Sequence, residues 1–277
     1  MLTVAAVQMT SGPDRDANER RALALVEAAV ERGAGLVGLP EVWEHVGPPA
    51  QKLAFAGPLE GRQLAPLREL CARRSIWCLA GSIAERVVDE RRTHNTSALI
   101  APDGRIAAAY RKLHLFDVDI KDGARYRESD AVAPGTEPPP VLDIGGLRLG
   151  MSICYDLRFP ELYRGMADVD LVAVPAAFTA LTGKAHWEVL LRARAIENQA
   201  FVLAPAQVGR IGPAEENRFA WGHACVIDPW GAVLADAGGE GEGLAVARLD
   251  PARLVEIRRD LPALRHRRRD ILGPAAR

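Results

Sequence analysis

Hydrophobic positions recur along the chain in two rhythms, and their alternation sets the expected architecture. Leu2 to Met9 is rich in β-forming residues, Asp16 to Arg32 places Leu23, Val26 and Val30 on one helical face, and Gly35 to Leu39 is a short apolar run suited to a buried strand. This is a β-α-β opening. A second round predicts a helix over Leu64 to Arg74, strands over Ile76 to Ala80 and Thr96 to Ile100, and an Asp103-Gly104 turn that folds the chain back into Ile106 to Tyr110 as a hairpin. The stretch from Ala131 to Pro140 is too rich in proline for regular structure and predicts an irregular surface crossing. Beyond it the alternation resumes, with strands expected over 147–153, 170–175, 201–205, 224–228 and 243–248 and helices near 160–168 and 184–199. Asp228-Pro229-Trp230-Gly231 predicts a hairpin turn between two apolar runs. No segment repeats at a fixed period, which excludes solenoids and propellers. The expected class is α/β, with antiparallel pairs inside it and hence mixed sheets.

Composition narrows this picture without redirecting it. With 277 residues, 48% of them hydrophobic, the chain can bury a large core, and one domain over 1–277 is expected. The 35 basic and 36 acidic residues leave a formal charge of -1, so no overall field favours nucleic acid or an anionic membrane. The short basic cluster Arg265 to Asp270 has no interleaved aromatic residues and reads as a solvated chain end or a subunit contact. The N-terminal stretch has no basic region before an apolar run, and no run approaches the length that crosses a bilayer, so a cytoplasmic protein with reduced thiols is expected. Cys71, Cys78, Cys154 and Cys225 form no C-x-x-C pair and show no metal-ligand spacing with the six histidines, which argues against a metal site.

The chemistry concentrates at three strand ends. Residues 150 to 162 read G-M-S-I-C-Y-D-L-R-F-P-E-L: alternation through Leu147, Leu149, Met151 and Ile153 predicts a strand, and Pro160-Glu161 suits the first turn of a helix. Cys154 therefore sits at a strand-to-helix turn, where a side chain stands at the carboxyl end of a sheet among free backbone N–H groups. That position serves a nucleophile, although a lone cysteine is more often an inert core residue. Glu41, in G-L-P-E-V-W, ends another apolar run and delivers a carboxylate. Lys112, in A-Y-R-K-L-H-L-F, is an ammonium in an apolar stretch, where it is costly unless paired. In open α/β sheets such strand ends converge on ligands.

These three segments, in this order, resemble the Glu-Lys-Cys motifs of the nitrilase superfamily of carbon–nitrogen hydrolases. The likeness extends over nearly the whole chain, through T-G-K-A-H-W-E from Thr182, R-A-R-A-I-E-N-Q ending at Gln199, G-H-A-C-V-I-D-P-W-G ending at Gly231, and H-R-R-R-D from His266. Within the superfamily it is nearest to the Nit-type branch of deaminated glutathione amidases, with the omega-amidases a sister branch. The resemblance implies an α-β-β-α sandwich that pairs into a four-layer homodimer or higher homo-oligomer, with no metal or organic cofactor. Position by position it implies Cys154 as nucleophile, Glu41 as general base, Lys112 as the positive group at the oxyanion, and Glu128, in R-Y-R-E-S-D, as the second glutamate that holds Lys112. The Tyr155 backbone N–H is the second expected oxyanion donor. In the implied reaction ammonia leaves first, giving a thioester on Cys154, and water activated by Glu41 hydrolyses it. Lys184 stands where both branches often carry proline.

The implied function is hydrolysis of a small carboxylate-bearing amide of the deaminated glutathione kind. An omega-amidase acting on alpha-ketoglutaramate, or another aliphatic amidase or nitrilase, is the alternative within the family. A Cys/His enzyme with His114 as partner is a mechanistic rival, and a catalytically silent scaffold that keeps the fold is the alternative from another class. Arg158, Arg192, Arg194, Arg210 and Arg218 are all available to meet a carboxylate, and the sequence does not choose among them.

Overall fold

The computed structural model describes residues 1–119, 125–166, 168–216 and 218–272. Two mixed sheets carry the chain. In the larger, of nine strands, Leu2–Met9 runs parallel to Leu36–Gly38 and to Ala206–Arg210 and antiparallel to Gly243–Leu249. The hairpin expected at Asp103-Gly104 is present, joining Thr93–Ile100 to Ile106–Arg111. In the second sheet, of six strands, Arg148–Met151, Leu171–Ala173 and Phe201–Ala204 run parallel, and Cys225–Ile227 with Val233–Asp236 forms the hairpin that Asp228-Pro229-Trp230-Gly231 predicts.

Period-two alternation explains why the sheets stack. On Leu2–Met9, Val4 and Ala6 face the second sheet and pack with Leu149, Leu171 and Leu203, while Ala5, Val7 and Met9 face the other way. They meet Ala22, Val26 and Ala29 of helix Arg15–Glu31 and Leu67 and Leu70 of helix Ala65–Arg74. On the far side of the second sheet, Trp187, Leu191 and Ala195 of helix Ala180–Asn198 complete the core. The layering is helix, sheet, sheet, helix, the sandwich that the resemblance implies. Where the strand Leu36–Gly38 meets the chain leaving the second sheet, a glycine is required: a Cβ on Gly38 would lie 2.8 Å from Pro205 Cγ and 3.3 Å from Leu203 Cδ2.

Local chemistry shifts several expected boundaries. The strand expected over 147–153 ends at Met151, because the Ser152 hydroxyl bonds the Ala173 carbonyl and the Ile153 N–H turns to Asp156. The expected helix over 184–199 starts earlier, at Ala180, capped by Thr179, whose hydroxyl accepts from the Thr182 N–H at 3.3 Å. Helices Pro49–Phe55 and Pro251–Asp260 were not anticipated. The Pro-rich stretch contains no helix and no strand. No helix among the described residues is long and apolar enough to cross a membrane.

Candidate active site

Glu41 lies three residues beyond the strand Leu36–Gly38, on a tightly held turn. The backbone of Gly81, at φ 48°, packs so closely that a Cβ there would lie 1.9 Å from the Pro40 carbonyl oxygen. The Val42 N–H donates to the Ser82 hydroxyl at 3.0 Å, the Trp43 indole N–H to the Ala80 carbonyl at 2.9 Å, and the Gln207 amide to the Glu41 carbonyl at 3.0 Å. Lys112 follows the last residue of strand Ile106–Arg111, and Glu128 begins a single 3-10 turn after strand Arg125–Arg127.

These three side chains meet. Lys112 Nζ donates to Glu41 Oε1 at 2.9 Å and to Glu128 Oε2 and Oε1 at 2.8 and 3.1 Å, with only 1% of the lysine side chain exposed. Burial alone would discharge this ammonium. Glu128 and Glu41 outweigh it and hold Lys112 well above the usual lysine range. Burial also penalises the Glu128 carboxylate, but Lys112 and then Lys52 reverse that and hold it at about 2.

Cys154 opens a 3-10 turn, Cys154–Arg158, in the left-handed region at φ 49°, a conformation that costs about 1–3 kcal/mol for a non-glycine residue and is retained where the surroundings impose it. The surroundings here are explicit. The Cys154 N–H donates to the Pro175 carbonyl at 2.9 Å, and Asp156, fully buried, accepts from the Ile153 N–H, the Tyr110 hydroxyl, the His114 N–H and His114 Nδ1 at 2.8–3.1 Å. Arg194 closes the turn from the helix side, its guanidinium donating twice to the Leu157 carbonyl at 2.8 and 3.1 Å. The thiol lies within hydrogen-bond reach of Glu41; burial, then the Glu41 charge, pushes it well above the usual thiol range against the opposing pull of Lys112, so it rests protonated.

Glu41 thus has two unlike oxygens. Oε1 accepts from both Lys112 Nζ and Asn95 Nδ2 at 2.9 Å, while the nitrogen donor to Oε2 among the described residues is the Ala177 N–H at 3.0 Å. Oε2 has room for a proton. The Tyr155 N–H has no acceptor among the described residues. All of these groups open onto one cavity of about 320 Å³. A thiol beside a carboxylate, an ammonium and a free backbone N–H can add to a polarised carbonyl or nitrile carbon.

A family model described as Carbon-nitrogen hydrolase matches residues 3–259. The chain belongs to this family. A deaminated glutathione amidase from Synechocystis sp. is 47% identical over 267 residues, 95% of this chain and 97% of that protein. Among solved structures, Saccharomyces cerevisiae Nit3, a member of branch 10 of the nitrilase superfamily, superposes with a TM-score of 0.85 at 30% identity, covering 96% of each chain. A glutamate-to-glutamine mutant of an amidase from Nesterenkonia sp. superposes with a TM-score of 0.79 at 28% identity over 98% of this chain and 95% of that one; it shows covalent addition of the acetamide moiety of fluoroacetamide at the active site cysteine.

Within this carbon–nitrogen hydrolase the structure brings Glu41, Lys112, Glu128, Cys154 and Tyr155 to one cavity, and it separates the arginines. Arg158 and Arg218 line the cavity. Arg192 is committed to Glu188 and the Gly231 carbonyl, Arg194 to the turn, and Arg210 stacks on Phe219. Lys184 is exposed and outside the cavity wall. Two residues of the site went unnoticed in the sequence. Asn95 bridges Glu41 and Glu128 through Nδ2, at 2.9 and 3.1 Å, and Asp156 anchors the turn that carries Cys154. An aspartate two residues after the cysteine, in a stretch that must turn, was the available signal for Asp156. Asn95 gave none, because its role depends on strand register.

His114 is the hydrolase's answer to the Cys/His alternative. Its Nδ1 is bound to Asp156 at 2.8 Å, its ring stacks on Phe159 with centroids 3.7 Å apart, and it lies outside the cavity wall. His114→Asn should therefore keep turnover within about tenfold of wild type, measured as kcat at matched folded fraction, with the loss appearing in melting temperature. A fall of several orders of magnitude with the fold retained would revive the Cys/His mechanism.

The depressed Glu128 carboxyl also carries a pH signature. Its ionised form is favoured by folding, so the stability it contributes is present above the ordinary carboxyl value of 4.5 and is lost as pH falls from there towards about 2. Urea midpoints measured across this window should fall more steeply for wild type than for Glu128→Gln, and parallel curves would refute the linkage.

Proposed function

We propose that this chain hydrolyses an amide bond in a small anionic substrate through a thioester on Cys154, with deaminated glutathione, the substrate named for its relatives, as the leading candidate. The observation that carries the reading is the charge of the cavity wall. Three acids, Glu41, Glu128 and Glu216, face six bases, of which Arg125 and Arg127 are ion-paired outside the wall, both with Asp119. The surplus is positive, and it favours a carboxylate-bearing amide over a neutral amide or nitrile.

Roles follow from the contacts. Cys154 Sγ attacks the amide carbonyl as its proton passes to Glu41 Oε2, the oxygen with a single nitrogen donor among the described residues. The oxyanion is held by the Lys112 ammonium and the Tyr155 N–H. As the C–N bond breaks, Glu41 returns its proton to the departing amine, which is ammonia from a primary amide and a dipeptide amine from deaminated glutathione. Water then gives a proton to Glu41 and attacks the thioester; collapse regenerates the thiol with that same proton. Glu128 and Asn95 keep Lys112 and Glu41 in place.

The test is product formation from a panel of deaminated glutathione, alpha-ketoglutaramate, a neutral aliphatic amide and an aliphatic nitrile. The two anionic amides should lead in kcat/KM; preference for the neutral amide or the nitrile would reject the reading, and an inert protein with intact fold would favour the scaffold alternative. The exposed stripe Leu181, Val189 and Ile196 on helix Ala180–Asn198, beside exposed Trp230, supports a homodimer through this helix, checked by mass in solution. Four free, buried cysteines support a cytoplasmic location.

A further inference from the structure

Two cations in the cavity wall have no acid within ion-pair distance among the described residues. The Lys52 ammonium, half-buried on helix Pro49–Phe55, makes no hydrogen bond and no ion pair among the described residues, and the same holds for the Arg218 guanidinium, which is brought to the wall just ahead of strand Phe219–Trp221. They lie within electrostatic reach of each other, so like charges face one space. Glu216, the nearest acid in sequence, is exposed and pairs with neither. Burial weakens the Lys52 ammonium; the Glu128 and Glu41 charges support it across the cavity without touching it, and the smaller repulsion of Lys112 and Arg218 works against them. Holding two unanswered cations together costs free energy that an anion seated between them would recover.

The position of the pair says which part of a substrate would supply that anion. Glu41 must hand its proton to the departing amine, so the amine leaves on the Glu41 side of the cysteine, and beyond Lys112, which is already bonded to both acids, Lys52 is a cation within electrostatic reach of Glu41 and Glu128. Arg158 is engaged separately, against the Tyr155 and Phe178 rings at 5.8 and 5.3 Å, with His186 at 3.2 Å. We propose that Lys52 and Arg218 form a subsite for a carboxylate carried by the leaving amine, so that the enzyme selects amides whose departing half is itself an anion, such as a dipeptide amine. This rests on the amidase reading above and sharpens it: the cavity would read both ends of the substrate.

The experiment compares three substrates with the same acyl group: one releasing ammonia, one releasing a neutral dipeptide carboxamide, and one releasing the free dipeptide acid. The readout is the ratio of kcat/KM for the acid to that for the carboxamide. Lys52→Met and Arg218→Met should each lower this ratio about ten- to hundredfold, mostly through KM, the loss expected when a charged hydrogen-bond partner is removed. Lys52→Arg should restore most of it, which a purely structural role for Lys52 would not require. An unchanged ratio in both Met variants, with wild type active on the acid, would overturn the subsite alone. A wild-type enzyme inactive on all three substrates would overturn the amidase reading itself, and the subsite with it.

Discussion

Cys154→Ala should reduce turnover to background while leaving the fold intact. In the proposed mechanism the thiol supplies the covalent step, and Cys71, Cys78 and Cys225 are buried and lie outside the cavity wall, so none is placed to replace it. The replacement is smaller and apolar, and it keeps the N–H that binds the Pro175 carbonyl. Alanine does inherit the left-handed backbone, which already carries its strain in the wild type, so the change in melting temperature should be small. Intact-mass analysis after mixing with substrate checks the mechanism directly, with a transient acyl adduct on the wild type and none on the variant. Turnover above a thousandth of wild type would end the covalent account. Substituting Cys71, Cys78 or Cys225 should leave chemistry unaffected wherever folding survives.

Glu41→Gln should lower kcat by about 10²–10⁴, the range in which a positioned base contributes. The structure makes this substitution harsher than its matched size suggests. Every neighbour of the Glu41 carboxylate is a donor: Lys112 and Asn95 at Oε1, the Ala177 N–H at Oε2. A glutamine must aim its own NH2 at one of these sets, leaving buried donors unpaired at about 1–3 kcal/mol. The diagnostic is pre-steady-state mass spectrometry. If Glu41 serves both halves of the reaction, the variant mixed with an amide shows slow acylation of Cys154 and no burst. Rapid, complete acylation with only hydrolysis blocked would confine Glu41 to the second half and leave Glu128 as the base for attack. Reaction with fluoroacetamide answers a separate question, since the glutamine mutant of the Nesterenkonia amidase still adds its acetamide moiety at the cysteine. Displacement of a halide needs a reachable sulfur, whereas acyl transfer also needs a proton carried to the amine.

Much of this site could be read before any coordinates, and the reason is local. Glu41, Lys112 and Cys154 each interrupt or end an apolar run, so their cost in the wrong place is visible from neighbours in sequence. Glu128 was not visible in that way; it entered only through the resemblance, because a glutamate in R-Y-R-E-S-D is unremarkable until the chain brings it to Lys112. Asn95 and Asp156 depend on register and turn geometry that no single window contains. The same holds for the fold. Long periodic segments such as Arg15–Glu31 are legible almost to the residue, whereas a three-residue edge strand such as Val141–Asp143 is too short to show a period and owes its form to pairing with Arg148–Met151. Gly183 inside the helix Ala180–Asn198 looks like a weak point in sequence. Its Cβ would lie 2.2 Å from Trp221 Cβ, so the glycine is there for contact with another element.

The close passage of the two sheets at Gly38 has a bearing on how this enzyme fails. Glu41 belongs to the chain leaving one sheet, whereas Cys154 and Ala177 belong to chain leaving the other, and the Ala177 N–H bond to Glu41 spans the seam at 3.0 Å. The proposed base and nucleophile are therefore aligned only as well as the sheets are spaced. A methyl group at Gly38 pressing on Pro205 could leave every strand and helix formed and still wedge the catalytic pair apart. Circular dichroism would report a native protein while turnover had already gone, so in this molecule activity is a finer gauge of inter-sheet distance than any measure of secondary structure.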